Sequence, residues 1–387
     1  MTVKHSCSTP DSYDVVVIGT GLAGLASALE LARRNIGRIA LIGPIAGYES
    51  FASSQPAIAT HPHYSADFNR LSEWTATACQ AANKELLRAA SIKPSLVIGR
   101  GRWTIPASES EARKLRSAAH RFNQNAPNCE HNEWHEQTIS LTIAPYGALF
   151  APSAWVIKPL VLQRLWLDEF FQLGGVAIDA HVQATMPLVV TDQAEGVWNI
   201  QHHDHPAIES SKIVLAVPKL IEQFAGPYMP ISNRPGVSET INQPELTEHF
   251  GQSAVRLSAY ALPFEAATKT WLSPSLSSSI YSQSTSVQGI YAGDRWSAPD
   301  RLPYVGQFID TEAIQKIESQ LLRYERMLIP SLENFFVNSA HGSRGLISGI
   351  LGAQVVADLL TSVPLSLSTR LQQSSSSKRY VRRVCNA

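Results

Sequence analysis

Hydrophobic and polar positions alternate in several distinct ways along the chain. Asp14–Ile18 carries a β-branched run, which suits a strand covered on both faces. Leu22, Leu25, Ala26, Leu29 and Ala32 then recur at helical spacing, and RIALIG (Arg38–Gly43) follows as a second strand. SEARKLRSAAHRF (Ser110–Phe122) has a helical pattern, and QSAVRLSAYAL (252–262) reads as a strand. VWNIQ alternates ahead of QHHDH, so His202–His205 reads as a hairpin tip; the same histidines also suggest a metal site. IVLAVP (Ile213–Pro218) and FFVN (335–338) are strand-like, and Leu346–Leu360 is apolar on nearly every side, as a buried helix is. Two Ser-rich stretches interrupt these patterns. Ser273–Ser286 reads as a loop, and Gln372–Lys378 as a linker to a short terminal segment.

Composition narrows the class. The 387 residues suffice for a large core and two domains. Hydrophobic residues make up 44% and charged residues 17%, which excludes wholesale disorder. Thirty-two basic and 32 acidic residues cancel, so a globally basic nucleic-acid binder is not indicated, although a local patch is not excluded. Cys7, Cys79, Cys129 and Cys385 are far apart, with no C-x-x-C pair; this argues against a zinc site or a disulfide framework and predicts free thiols in the cytoplasm. The polar first residues do not read as a secretory signal. No apolar run is expected to reach the length of a membrane span.

The glycines at the first strand-to-helix junction form G-T-G-L-A-G: Gly19, Gly21 and Gly24. The first allows a tight turn, the second lets backbone approach a pyrophosphate, and the third lets the helix pack on its strand. The helix N-terminus offers unpaired N–H groups and partial positive charge to phosphates. One element departs from this pattern. Gly43 ends the second strand where an acid should meet the adenosine ribose, and the nearest acid, Glu49, lies in the following loop. Another group must hold the ribose, or adenosine binds more weakly.

Far along the chain stand YAGDRWSAPDRLPYVGQF (Tyr291–Phe308) and a second strand, glycine turn and helix, NFFVNSAHGSRGLISGILGAQVVADLL (Asn334–Leu360). Two such blocks at opposite ends resemble the FAD-dependent amine and amino-acid oxidases, a family that includes glycine oxidase, sarcosine oxidase and D-amino-acid oxidase. There the N-terminal glycines bind the ADP half of FAD. A block G-x-R-x-x-x-x-D-x-x-P-x-x-G, matched by Gly293, Arg295, Asp300, Pro303 and Gly306, leads to the flavin. A later glycine turn, matched by His341–Gly345, cradles the edge of the flavin ring. Within the family the chain is similar to the oxidase branch of bacterial wobble-uridine modification. The segments carrying that similarity are FASSQPAIATHPHYSADFNRLSEW, AWVIKPLVLQRLWL, HGSRGLISGILGAQVVADLL and the tail LQQSSSSKRYVRRV.

The resemblance implies an α/β fold: a Rossmann-type FAD-binding domain (1–65, 145–218 and 296–387) interleaved with a smaller antiparallel-sheet α+β substrate domain (66–144 and 219–295), as in glycine oxidase. It implies FAD contacts at Gly19, Gly21, Leu22, Ala23, Gly24, Ser53, Ser54, Gln55, His341, Gly342, Ser343, Arg344, Gly345 and Leu346. Arg295 takes the family's carboxylate-binding position; the plainer reading is a loop staple to Asp294 or Asp300. His61 and His63 would line the active site, or serve only as structural loop histidines. Lys378, Arg379, Arg382 and Arg383, aided by Tyr380, would contact tRNA phosphates, or form a solvated basic tail.

The implied reaction removes the carboxymethyl group of 5-carboxymethylaminomethyl-uridine at the tRNA wobble position, leaving 5-aminomethyl-uridine and glyoxylate. A separate methyltransferase would then act on the product; no metal or membrane partner is expected. A small-molecule glycine- or sarcosine-type oxidase and a non-catalytic, FAD-poor tRNA binder stay open as alternatives. The last rests on three departures at cofactor contacts: Gly43; Gln55, Pro56 and Ile58 in place of Asn-x-x-Gly; and Pro218 where glycine would approach the cofactor.

Overall fold

The computed structural model describes residues 11–45, 52–129, 132–136, 144–180, 189–193, 197–202, 205–241, 253–256, 260–264, 269–272, 289–365 and 367–386. The apolar runs form β1 (Asp11–Ile18), β2 (Ile39–Gly43), β7 (Val176–Asp179), β10 (His205–Leu215) and β17 (Ser331–Ser339), all mutually parallel where they pair. With β16 (Tyr304–Ile309) antiparallel at one edge, the order is β16-β17-β10-β1-β2-β7. The hairpin of β8 (Val189–Gln193) and β9 (Val197–His202) attaches to β10, as the alternation in VWNIQ requires. His203 and Asp204, between β9 and β10, lie outside the described residues, as does Ser273–Ser286.

Both faces of this sheet are buried. Val15 and Val17 join one core with Leu41, Val214 and Phe336, while Val16 and Ile18 join another with Ile42, Ile213 and Val337. Period-two alternation turns each strand's apolar residues to both helical layers. The first core takes α1 (Leu22–Arg33), α2 (Arg70–Ile92), α4 (Pro159–Gln172) and α7 (Gly345–Leu360). The second takes α5 (Pro218–Ala225), α6 (Thr311–Arg323) and α9 (Val381–Cys385). Gly342–Leu360 is in fact long and apolar enough for a membrane span, contrary to the expectation above. That apolarity is used in the fold, because α7 is buried from Leu346 through Asp358 almost without interruption.

A second sheet runs β15 (Gly289–Ser297), β11 (Ser232–Ile241), β14 (Lys269–Leu272), β13 (Tyr260–Phe264), β12 (Ala254–Arg256), β4 (Val97–Thr104), β6 (Ala148–Ile157), β3 (Ile58–Ala59), with β5 (Glu133–His135) on β6. Only β12 and β4 pair in parallel. It counts nine strands, against eight in the first sheet, among the described residues. Two segments tie the sheets together. β6, from the 145–218 segment, lies in the second sheet, and α2, from 66–144, packs on α1 and α7 over the first. α2 is tied there by charge. Arg33 and Arg88 both bond Glu85 and Glu169, and the Trp166 indole donates to Glu85, so α1, α2 and α4 share one network.

The C-terminal segment differs from its expected form. Thr369–Ser375 is a helix, α8, rather than a linker, and Ser374, Ser375 and Ser377 are buried. Their hydroxyls donate to the carbonyls of Arg370, Leu371 and Gln307. Arg379 forms a bidentate pair with Asp300 at 2.9 and 3.1 Å and also donates to the carbonyls of Leu302 and Pro303. Arg382 donates to the carbonyls of Leu321, Tyr324 and Met327 beyond the end of α6. These two arginines are therefore committed inside the fold. Of the four expected at tRNA, Lys378 is half-buried and Arg383 alone is exposed. Arg379→Ala should lower unfolding stability by about 2–3 kcal/mol, since it strips Asp300 and two carbonyls of their donor. Chemical denaturation measures that loss, while the salt dependence of tRNA retention should stay at the wild-type slope.

Candidate active site

The first glycine turn is built by contact. Gly24 lies against the Gly19 carbonyl so closely that a Cβ on it would sit 1.7 Å from the oxygen. The Gly19 amide donates to the Ile42 carbonyl at 2.7 Å, which closes the turn onto β2. α1 starts at Leu22 with no capping side chain on Gly21 and no acid in its first turn. Its end thus keeps the partial positive charge of its orphan amides. Ser53 is brought to this turn: its hydroxyl accepts from the Leu22 amide at 3.2 Å, and its carbonyl accepts from Gln163 at 2.7 Å. Ser54 is buried and Gln55 half-buried beside it.

The second glycine turn meets the first. β17 leads through Ala340 and His341 into a short turn, Gly342–Arg344, and then α7. α7 likewise begins without a capping side chain or an acid. A Cβ on Gly349 would lie 3.0 Å from the Ala23 Cα, so α1 and α7 cross near their N-terminal ends. Asn338 locks the crossing by donating to Ser27 Oγ at 2.9 Å and to the Gly349 carbonyl at 3.1 Å. Sequence reasoning missed Asn338; its signal was a polar residue inside the apolar run FFVNSA. Two helix N-termini at one pole of the sheet make a site for a group of several negative charges.

His341 borders that pole. Both ring nitrogens are buried without a well-formed hydrogen bond, and its backbone bridges to Ser297 of β15. Desolvation pushes its pKa down to about 4, against a weaker upward pull from the Asn338 backbone. The unfolded chain carries an ordinary histidine near 6.5. Between those values the unfolded state takes up a proton that the folded state refuses, so stability is lost as pH falls from 6.5 towards 4. We expect roughly 2 kcal/mol of loss between pH 7 and pH 5 from this group. Urea unfolding should show that component missing in His341→Asn.

Arg295 sits on β15 on the same strand face as Ser297, two residues away. Directly opposite on β11 is Arg234, a like charge. Burial lowers the Arg295 pKa, and Arg234 lowers it further. The staple reading of Arg295 finds no support among the described residues. Asp300 is held by Arg379, and no ion pair of Arg295 with Asp294 is formed. Among the described residues Arg295 is thus a half-buried cation without an ion pair, two residues from Ser297, whose backbone bridges to His341.

The two histidines are placed differently. His61 is buried, with Nδ1 3.3 Å from the Pro62 carbonyl, and the His63 amide donates to Thr75 of α2 at 2.8 Å. These contacts lie at the junction of β3, β6 and α2. Among the described residues no cluster suited to a metal ion occurs.

The three departures also find their places. A Cβ on Gly43 would lie 2.9 Å from Thr20 Cγ2, so side chains are excluded there by the glycine turn itself. Ile58 pairs with Ile157 in the second sheet. Pro218 opens α5 at its first position, where proline is well suited; Ala216 and Val217 are the residues beside Gly19. The pole therefore fits a dinucleotide: a cradle with no room for side chains, two helix N-termini without an acid in their first turns, and buried ring nitrogens at its rim.

Residues 14–254 match the family profile described as FAD dependent oxidoreductase, DAO. Over 98% of its length the chain is 25% identical to the tRNA 5-methylaminomethyl-2-thiouridine biosynthesis bifunctional protein MnmC of Paraburkholderia phytofirmans, covering 62% of that protein. A stretch of 102 residues, 25% of the chain, is 37% identical to 15% of the MnmC of Pseudomonas fluorescens. The chain spans about six-tenths of the long relatives it matches. L-proline dehydrogenase from P. horikoshii superposes with a TM-score of 0.72 at 13% identity, over 97% of this chain and 98% of that one. Glycine oxidase from Geobacillus kaustophilus does so at 0.68 and 16%, over 95% and 99%.

Proposed function

The chain belongs to the FAD-dependent oxidoreductase family DAO, and from that premise we propose that it removes the carboxymethyl group of 5-carboxymethylaminomethyl-uridine in tRNA, leaving the 5-aminomethyl base and glyoxylate. The observation that carries this reading is Arg295, a half-buried cation with no ion pair among the described residues, on the strand that bridges to His341 through Ser297. An N-substituted glycine supplies a carboxylate, and a planar guanidinium binds it in a fixed orientation. The likeness to MnmC along nearly the whole chain supports the tRNA substrate over a free amine. A tRNA substrate places the work in the cytoplasm.

When bound, FAD supplies a two-electron acceptor for hydride from the methylene carbon, after which water releases glyoxylate. The Gly19–Gly24 turn and Ser53 would hold its pyrophosphate half, and His341–Leu346 its ring. His341 stays neutral at pH 7, so favourable charge for an electron-rich ring comes from the N-terminus of α7. No side-chain base is required if the amine binds neutral.

The test is the visible spectrum of the purified protein, mixed anaerobically with tRNA bearing the modified uridine. Bleaching of the flavin band by this tRNA, and not by glycine or sarcosine, is the expected result. Bleaching by the small amines alone would move the protein to the small-molecule oxidases. A protein that stays colourless after soaking in FAD would end the enzyme reading.

A further inference from the structure

The ribose-binding acid missing from the end of β2 has a neighbour that sequence order hides. β7 pairs with β2 in parallel, and its last residue, Asp179, is in register with Gly43. Asp179 is exposed at the carboxyl edge of the sheet, the edge on which dinucleotides lie in this architecture. Its Oδ1 accepts from the Ile45 amide at 2.8 Å, and the Ala180 amide donates to the Gly43 carbonyl at 3.2 Å. On the other side, the Thr20 hydroxyl of the glycine turn donates to the Pro44 carbonyl at 2.8 Å. The chain leaving β2 is thus pinned between the phosphate turn and Asp179.

We propose that Asp179 holds the hydroxyls of the adenosine ribose, taking over from one strand away the role that Gly43 cannot fill. Residue 43 cannot carry the acid, because a Cβ there meets Thr20 side chain and backbone at 2.9 to 3.1 Å. Adjacent strands lie about 4.8 Å apart, so the acid is displaced by one strand spacing and stays at the same level of the sheet. A carboxylate accepts about four hydrogen bonds, so the bond from Ile45 is compatible with receiving ribose hydroxyls as well. That bond also turns the side chain toward the chain leaving β2. The inference rests on FAD binding by this family and is independent of whether the substrate is tRNA.

The experiment titrates the full chain, freed of flavin, with ADP and with 2′,3′-dideoxy-ADP by calorimetry, for wild type and Asp179→Asn. Asparagine keeps an oxygen for the Ile45 amide and removes the charge that favours hydroxyl donors. Wild type should bind ADP about ten- to a hundredfold more tightly than the dideoxy nucleotide. Asp179→Asn should lose most of that preference while its dideoxy-ADP affinity and melting temperature stay put. Equal loss of both nucleotides would reduce Asp179 to a staple of the β2 loop and overturn the proposal. So would a wild type that does not discriminate between them or binds neither, a result that needs no folded variant.

Discussion

Arg295→Gln should lower kcat/KM for the N-carboxymethyl amine by about thirty- to a thousandfold, the equivalent of roughly 2–4 kcal/mol for removing one partner of a desolvated charge pair. The argument is electrostatic. Arg295 is half-buried, faces Arg234 across the strand pair, and has no ion pair among the described residues. Like charges directly opposite on neighbouring strands are destabilising, and under the proposed function the substrate carboxylate would offset that repulsion. The same geometry sets the sign of a control. Removing the charge should leave the melting temperature unchanged or raise it, because a repulsion is relieved and no salt bridge is broken. A structural staple would behave in the opposite way, with stability lost and substrate affinity kept. Arg295→Lys should recover only part of the activity, since an ammonium cannot reproduce the planar two-point contact. Rapid mixing with the substrate, following the flavin band, separates binding from turnover.

Gly24→Ala should cost the protein its flavin, with affinity falling at least about a hundredfold and stability falling by about 3 kcal/mol or more. The new methyl would lie 1.7 Å from the Gly19 carbonyl oxygen and 2.7 Å from its carbon. Both atoms are backbone, so no rotamer change relieves the clash. α1 has to lift from the turn, which moves its orphan amides away from the pyrophosphate and opens the contact of Ala23 with Gly349. Gly345→Ala is the matched control for stability. Nothing lies within 4 Å of the Cβ it would add, and its φ of −54° is ordinary helix. Its melting temperature should hold or rise slightly, since alanine restricts the unfolded chain. Flavin absorbance after gel filtration and thermal unfolding read both effects.

What the sequence by itself determined is local. The doubly buried strands, the two glycine turns and the apolar helix α7 all follow from periodicity and from glycines at strand-to-helix junctions. In these elements the constraint is between residues close in the chain, so their order carries it. The G-x-R block around Arg295 was also legible as a motif, because its spacing is local to one strand and loop; the role of Arg295 remains the proposal above. The tertiary structure decided everything that depends on which strands become neighbours. Asp179 meets Gly43 across 136 positions only because β7 pairs with β2. Arg234 opposes Arg295 only through the pairing of β11 with β15. The tail arginines read as a basic patch because charge alone is visible in a string of letters. Only the fold shows that Arg379 finds Asp300 and that Arg382 finds the carbonyls around the end of α6. His61 and His63 are adjacent in sequence to a segment resembling the flavin loop, and the fold sets the His61 ring near the Pro62 carbonyl and the His63 amide on Thr75 of α2. Sequence distance is a good guide to contact within a turn of helix or a hairpin. It says nothing about the lateral order of strands in a sheet, and that order set the neighbours of Asp179 and Arg295.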